Sequence, residues 1–326
     1  MEFDPVLLSR LQFAFVIAFH ILLPAFTVGL SAFIAVLEGR YLFRKDPVHL
    51  RLSLFWTKIF AVAFGMGVVS GIVMPFQFGT NWSRYADATA NVLGPLFTYE
   101  VMAAFFLESG FLGILLFGRK LVPPWAHFLS AVMVAAGTLL SSFWILAANS
   151  WMQTPAGYAI ENGVAVPTDW LKVIFNPSFP YRFAHMLNAA YLTTGFVVLA
   201  VGARYLIGGK YIEEGRTMLR MAIGLMAILA PLQLIIGDQH GLNGNRVQLM
   251  HQGSPVKMDA AAEYPEQQRG DDDKDDREKP SQARRGWFGQ GFGGLLGAGW
   301  HGERGSGWAS WSAERPCPSC SAMCAP

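Results

Sequence analysis

An all-α, polytopic membrane helix bundle with six predicted transmembrane helices, followed by a disordered tail, is the fold class this sequence predicts. Three observations carry it. Hydrophobic residues make up 52% of the 326 residues and charged residues only 15%, where a soluble domain carries about 25% charged residues. Six stretches satisfy the requirement of about 20 mostly apolar residues for crossing a bilayer. The charge is also segregated, with a dense Asp, Lys and Arg run between Gly270 and Arg285.

The spans follow in order. Leu11–Leu37 carries His20 and Pro24 in a run of Phe, Ile and Leu. The preceding Met1-Glu2-Phe3-Asp4 has no basic n-region and the run is too long for a signal core, so it reads as a retained span. Leu54–Phe76 carries Lys58 in its first turns, where the ammonium can snorkel to the interface. Leu96–Phe117 carries Glu100 and Glu108, and Ala126–Ala148 carries Ser141 and Ser142. Phe183–Ile207 begins with His185, just after Arg182, and Met218–Ile236 contains Pro231. Prolines inside spans are tolerated where neighbouring helices satisfy the freed backbone groups. The connections Gln77–Pro95 and Asn149–Arg182, rich in Gly, Pro, Asn and Trp, read as interfacial loops.

Orientation comes from the basic residues. Ten Lys and Arg lie after spans 1, 3 and 5, whereas the other side has four: Arg10, Arg84, Lys172 and Arg182. The positive-inside rule places the first set in the cytoplasm and the N-terminus outside. Basic residues in short clusters between apolar runs, at a net charge of +2, offer no phosphate-binding face and exclude a nucleic-acid partner.

The chain divides into a bundle over 1–243 and a low-complexity tail over 244–326, disordered by composition. Within the tail, Gly286–Trp311 reads like GC-rich sequence translated in an unselected frame; an open, span-encoding alternative frame in the gene would support this, and a stop in every frame would sink it. All three cysteines (Cys317, Cys320 and Cys324) fall in the tail, so no disulfide framework holds the bundle. Their metal-like spacing lacks histidine partners in an ordered context.

Ionisable groups inside hydrocarbon are costly, and each is a functional candidate. His20 has two readings: a haem ligand through a neutral imidazole, or a histidine bonded to a carbonyl of a neighbouring helix. His185 sits near the outer interface, where a histidine costs less. Two histidines on separate spans, with Arg182 placed to meet a propionate, point to porphyrin in a bundle interior. Glu100 and Glu108, on an unbroken α-helix, would lie about 12 Å apart along the axis and about 80° apart around it. Both can then face the interior, as a proton relay or beside a buried metal. A pairing of Glu108 with Lys58 is the structural alternative. Ser141 and Ser142 carry weak signals, because hydroxyls in membrane helices commonly bond their own backbone.

Several blocks carry a resemblance. They are Leu8-Ser9-Arg10-Leu11-Gln12-Phe13 leading to Phe19-His20, Gly94-Pro95-Leu96-Phe97-Thr98-Tyr99-Glu100, and Phe106-Leu107-Glu108-Ser109. Trp144 to Pro155, with its Trp151-Met152-Gln153-Thr154-Pro155-x-Gly157 core, and His185-Met186 complete the set. Over about residues 1–243 the chain resembles subunit I of the bacterial cytochrome bd-type quinol oxidases, including the cyanide-insensitive branch. The resemblance implies three haems (a low-spin haem b, a high-spin haem b and a haem d), a second membrane subunit, and an inner-membrane location. It implies electrons taken from ubiquinol or menaquinol and passed to O2, which is reduced to water with protons from the cytoplasm. It makes His20 the axial ligand of a high-spin haem and His185 one ligand of the low-spin haem. It makes Glu100 the carboxylate beside the high-spin pair, Glu108 the next group on the proton route, and Ser141 a proton-delivery position.

After Gly237-Asp238-Gln239-His240-Gly241 the likeness stops near Asn243, and the C-terminal part reads as divergent or frameshifted. The family's quinol loop and last spans, which supply further haem ligands, have no counterpart in the tail, and neither Met250 nor Met258 is given such a role. Oxygen reduction by this chain alone is therefore expected to be poor or absent. Two other classes stay open: a non-catalytic membrane electron carrier with b-type haem, and a transporter-like bundle using Glu100, Glu108 and Lys58. The second lacks paired repeats with interrupted helices.

Overall fold

The computed structural model describes residues 5–253. Eight α-helices and one hairpin make up these residues: α1 (Pro5–Arg44), α2 (Pro47–Thr80), α3 (Ser83–Tyr99), α4 (Phe106–Phe117), α5 (Pro124–Gln153), β1 (Tyr158–Glu161), β2 (Val164–Pro167), α6 (Trp170–Ile174), α7 (Phe179–Ile207) and α8 (Ile212–Gly253). A π-helical segment, Glu100–Phe105, joins α3 to α4, and a 3₁₀ turn, Gly118–Lys120, follows α4. Six helical stretches are long and apolar enough to cross a membrane, in agreement with the six expected spans. Most of these helices outrun the expected apolar stretches, because helical hydrogen bonding continues into the interfacial residues.

The last helix runs through the 243/244 boundary to Gly253. Residues 254–326, most of the expected tail and all three cysteines, lie outside the described residues.

The segment Asn149–Arg182, expected to be an irregular loop, instead folds into the β1–β2 hairpin and the short α6. The hairpin closes through Asn162 and Gly163, both at positive φ (50° and 79°), with Glu161 paired to Val164. Asn-Gly is the preferred sequence for a two-residue turn of this kind, so the signal was present in the sequence.

Buried apolar side chains form two main clusters at opposite ends of the bundle. Leu30, Ile34, Leu52, Trp56, Leu112 and Val134 belong to the first, towards the end carrying Arg40 and Arg44. Val92, Leu96, Ala148, Trp151 and Ala165 form the second, under the hairpin. Along α3–α4 the carboxyls of Glu100 and Glu108 fall between Leu96 and Leu112, and along α5 Ser141 falls between Val134 and Ala148. The polar positions thus occupy the level that neither cluster fills. At Gly29 the helices approach so closely that a Cβ would stand 2.4 Å from the Thr194 hydroxyl. This small residue lets α1 meet α7, as is usual where helices pack in lipid.

Between α1 and α2, Asp46 caps α2: its carboxylate accepts from the Val48 amide at 2.9 Å and lies 2.9 Å from His49 Nδ1. Pro47 follows at the first helical position, where its missing N–H costs nothing. The Val48 amide, with the His49 ring, holds the Asp46 carboxyl below its ordinary value. A depressed folded-state value means that the stabilisation is complete above the ordinary aspartate range and is lost as pH falls through the folded value. Asp46→Ala is expected to cost about 1 kcal/mol at neutral pH in a thermal melt, with the difference from the parent shrinking under acid. An unchanged melting temperature at pH 7 would contradict this.

Candidate functional site

His20 lies midway along α1 and faces α2. Its Nδ1 is 2.9 Å from the Ser70 hydroxyl, which donates its own proton to the Gly67 carbonyl at 3.0 Å. With that proton committed, the Ser70 oxygen accepts from Nδ1–H, and the free lone pair falls on Nε2. A ligand imidazole is held in this way, by an acceptor on its other nitrogen. One residue on, Gly71 leaves the ring edge uncovered: a Cβ there would stand 3.1 Å from His20 Cε1.

Glu100 opens the π-helical segment, and its Oε1 accepts from Ser141 Oγ of α5 at 3.1 Å. Stacked beside it, Tyr99 and Trp144 hold α3 against α5 with ring centroids 5.2 Å apart. The wide turn corrects the angular estimate, because an offset of about 80° assumed unbroken α-geometry. Wide turns of this kind are frequent at functional sites. Glu108 is buried, at 6% exposure, further along the same span. The pairing with Lys58 does not form: Lys58 is exposed and has no ion pair among the described residues. Ser142 bonds its own helix at the Thr138 carbonyl, whereas Ser141 reaches across to Glu100.

A third group lies near the start of α7. His185 faces α8, where Gln233 Nε2 lies 3.2 and 3.3 Å from its two ring nitrogens. Gly237 offers the ring no Cβ, and the His240 ring sits 5.2 Å away, centroid to centroid. One turn before His185, Arg182 Nη1 donates to Asn149 Oδ1 at 3.4 Å. Arg182 Nε and Asn149 Nδ2 are both buried without a hydrogen-bond partner. Orphaned buried donors require an acceptor, and two of them on neighbouring side chains fit a carboxylate such as a haem propionate. The residues present therefore fit a porphyrin at His185 and an imidazole-ligated iron at His20.

One polar centre escaped the sequence reading. Glu38, 3% exposed, accepts from Ser53 of α2 and from Arg119 of the 3₁₀ turn. Its other oxygen is 3.2 Å from His127 Nδ1 of α5, while His127 Nε2 meets the Leu115 carbonyl at 3.1 Å. Glu38 thus ties four elements together at one end of the bundle. The available signal was a lone carboxylate directly after an apolar run, with a histidine at the start of another. Both lay at the edges of the spans as drawn, Leu11–Leu37 and Ala126–Ala148. His240 and Gln233 were equally silent, since only the α7–α8 pairing brings them to His185.

Six apolar helices with imidazoles and carboxyls among them define a polytopic membrane protein. The family model for cytochrome bd terminal oxidase subunit I matches residues 8–273, about 30 residues beyond the end of the resemblance near Asn243. The chain belongs to this family. It is 36% identical over 257 residues to cytochrome bd ubiquinol oxidase subunit 1 of Bacillus subtilis (strain 168), covering 78% of this chain and 53% of that protein. It is likewise 36% identical over 263 residues to cytochrome bd-II ubiquinol oxidase subunit 1 of Escherichia coli (strain K12), covering 79% and 49%. The structure of bd oxidase from Geobacillus thermodenitrificans superposes with a TM-score of 0.70 at 29% identity, over 74% of this chain and 56% of that one. The chain spans about half the length of the curated relatives it matches.

Proposed function

We propose that the chain serves in subunit I of a terminal quinol oxidase, carrying electrons from quinol through haem to O2 with proton uptake from the cytoplasm. The observation that carries this reading is the pair of histidines on separate spans, the second with unpaired Arg182 and Asn149 donors beside it. In this reading His185 ligates the low-spin haem b, and His20 ligates a high-spin haem, b or d. When bound, haem supplies one-electron transfer and the site of oxygen chemistry, tuned by its ligands and burial.

The chain's own residues do the rest. Ser70 fixes the His20 ring so that Nε2 presents its lone pair. Arg182 and Asn149 bind and orient a propionate. Ser141 donates to Glu100, and Glu108, buried further along the same span, holds a proton and passes it on. Carboxyls inside a bundle, at different depths, suit such a relay. The substrates are ubiquinol or menaquinol and O2, the partner is the second membrane subunit, and the setting is the bacterial inner membrane with the N-terminus outside. The bundle over 1–243 holds these groups.

Reduced-minus-oxidised spectra of the purified membrane protein, together with quinol-dependent oxygen uptake, test this. Bands of both b-type and d-type haem with oxygen uptake are expected from the working oxidase. Bands of b-type haem alone without uptake would favour the electron carrier, and a chain devoid of haem would overturn both.

A further inference from the structure

A groove of about 390 Å³ lies on the outer surface of α1 and α5, at the end carrying the Arg and Lys excess. Its size falls within the range of small-molecule sites. Ala35 and Val36 of α1 and Phe128 and Val132 of α5 give it an apolar floor. Gly39 lets the floor close up, since a Cβ there would stand 3.0 Å from the Phe128 ring. Phe43 meets that ring edge to face, with centroids 6.3 Å apart.

Arg40 and Arg44 line one end of the groove. Four residues apart, they share a face of α1 about 6 Å apart in rise. Both are exposed, and neither has an ion pair or hydrogen bond among the described residues. Nearby cations are already engaged. Arg51 pairs with Glu213 and Glu214, Arg119 pairs with Glu38, and Lys45 lies over the Tyr41 ring. Two unpaired guanidiniums thus stand at the polar end of an apolar trough that runs towards the middle of the span.

We infer that this groove binds an anionic phospholipid, with the headgroup phosphate on Arg40 and Arg44 and an acyl chain along Val36 and Val132. A basic pocket between spans at the headgroup level is where such lipids are held. A soluble anion would leave the apolar floor unexplained. A transmembrane partner helix would need a face as long as the bilayer, about 30 Å, whereas Ala35 to Arg44 spans only about 13.5 Å.

The test uses the full chain in bilayer nanodiscs of phosphatidylcholine doped with phosphatidylglycerol, with retained lipid counted by native mass spectrometry. The parent is expected to retain phosphatidylglycerol in preference to phosphatidylcholine. Arg40→Gln with Arg44→Gln is expected to lower that retention about tenfold. Val36→Trp keeps both charges but fills the trough, at a position already exposed to the membrane, and is expected to lower it similarly. Arg204→Gln, an exposed cation elsewhere, is expected to change nothing. Equal retention of the two lipids by the parent would overturn the proposal. So would full retention in Val36→Trp, which would reduce the effect to surface charge. Capture of a polypeptide, and no lipid, by a photoreactive side chain at position 36 would overturn it in favour of a protein occupant.

Discussion

Replacement of His185 by alanine is expected to lower the low-spin haem signal of the purified protein by at least tenfold, while replacement of His20 leaves that signal and removes the signal of one high-spin haem. The expectation rests on the separation of the two rings. His20 faces α2 with Nδ1 committed to Ser70, and His185 faces α8 beside Gln233 and His240. In the proposed reading each iron depends on its own imidazole, because an alanine leaves no donor at that position. The supporting groups grade the effect. Ser70→Ala frees the His20 ring to adopt either tautomer and is expected to weaken haem retention there by about tenfold, the lower end of what loss of a ligand's hydrogen-bond partner costs. Haem content per protein and reduced-minus-oxidised spectra read all three variants. Full haem content in both His185→Ala and His20→Ala would remove the basis for either assignment.

The largest stability effect is expected at Glu38. Glu38→Leu would leave His127, 2% exposed, and Arg119, 27% exposed, without their carboxylate. Breaking a buried ion pair from one side typically costs about 3–5 kcal/mol, because the remaining charge stays buried and unpaired. Arg119 retains some access to water, so about 3 kcal/mol is the expected loss, or roughly 6–10 °C in melting temperature for a chain of this size. Glu38→Gln, which keeps two hydrogen-bonding atoms but no charge, is expected to fall between. Purified protein in detergent, melted with an intrinsic tryptophan signal, reads the series. A Glu38→Leu protein melting within about 1 °C of the parent would show that the cluster contributes little.

Within the sequence, legibility followed how local each cause was. Span number came from run length alone, because a bilayer leaves few alternatives to a helix for such runs. His20, Glu100, Glu108 and His185 stood out because an ionisable group in an apolar run is costly without a reason. The hairpin was legible and missed: Asn162-Gly163 carries its own turn geometry, but the surrounding Gly, Pro and Trp read as loop. The angular relation of Glu100 to Glu108 was not legible, since nothing in Glu100–Phe105 announces a π-helical segment. Helix packing imposes it.

The sequence by itself determined that this is a six-helix membrane bundle with imidazoles and carboxyls in its interior, and which family's blocks it carries. Those properties follow from composition, run length and residue order along one strand of chain. Only the tertiary structure decided the partners: Ser70 for His20, Ser141 for Glu100, Asn149 for Arg182, Gln233 and His240 for His185, and the convergence on Glu38. The groups that meet there are from 15 to 89 residues apart in the chain. Hydrogen bonds act over about 3 Å, so such partners exist only once helix packing has fixed which faces meet.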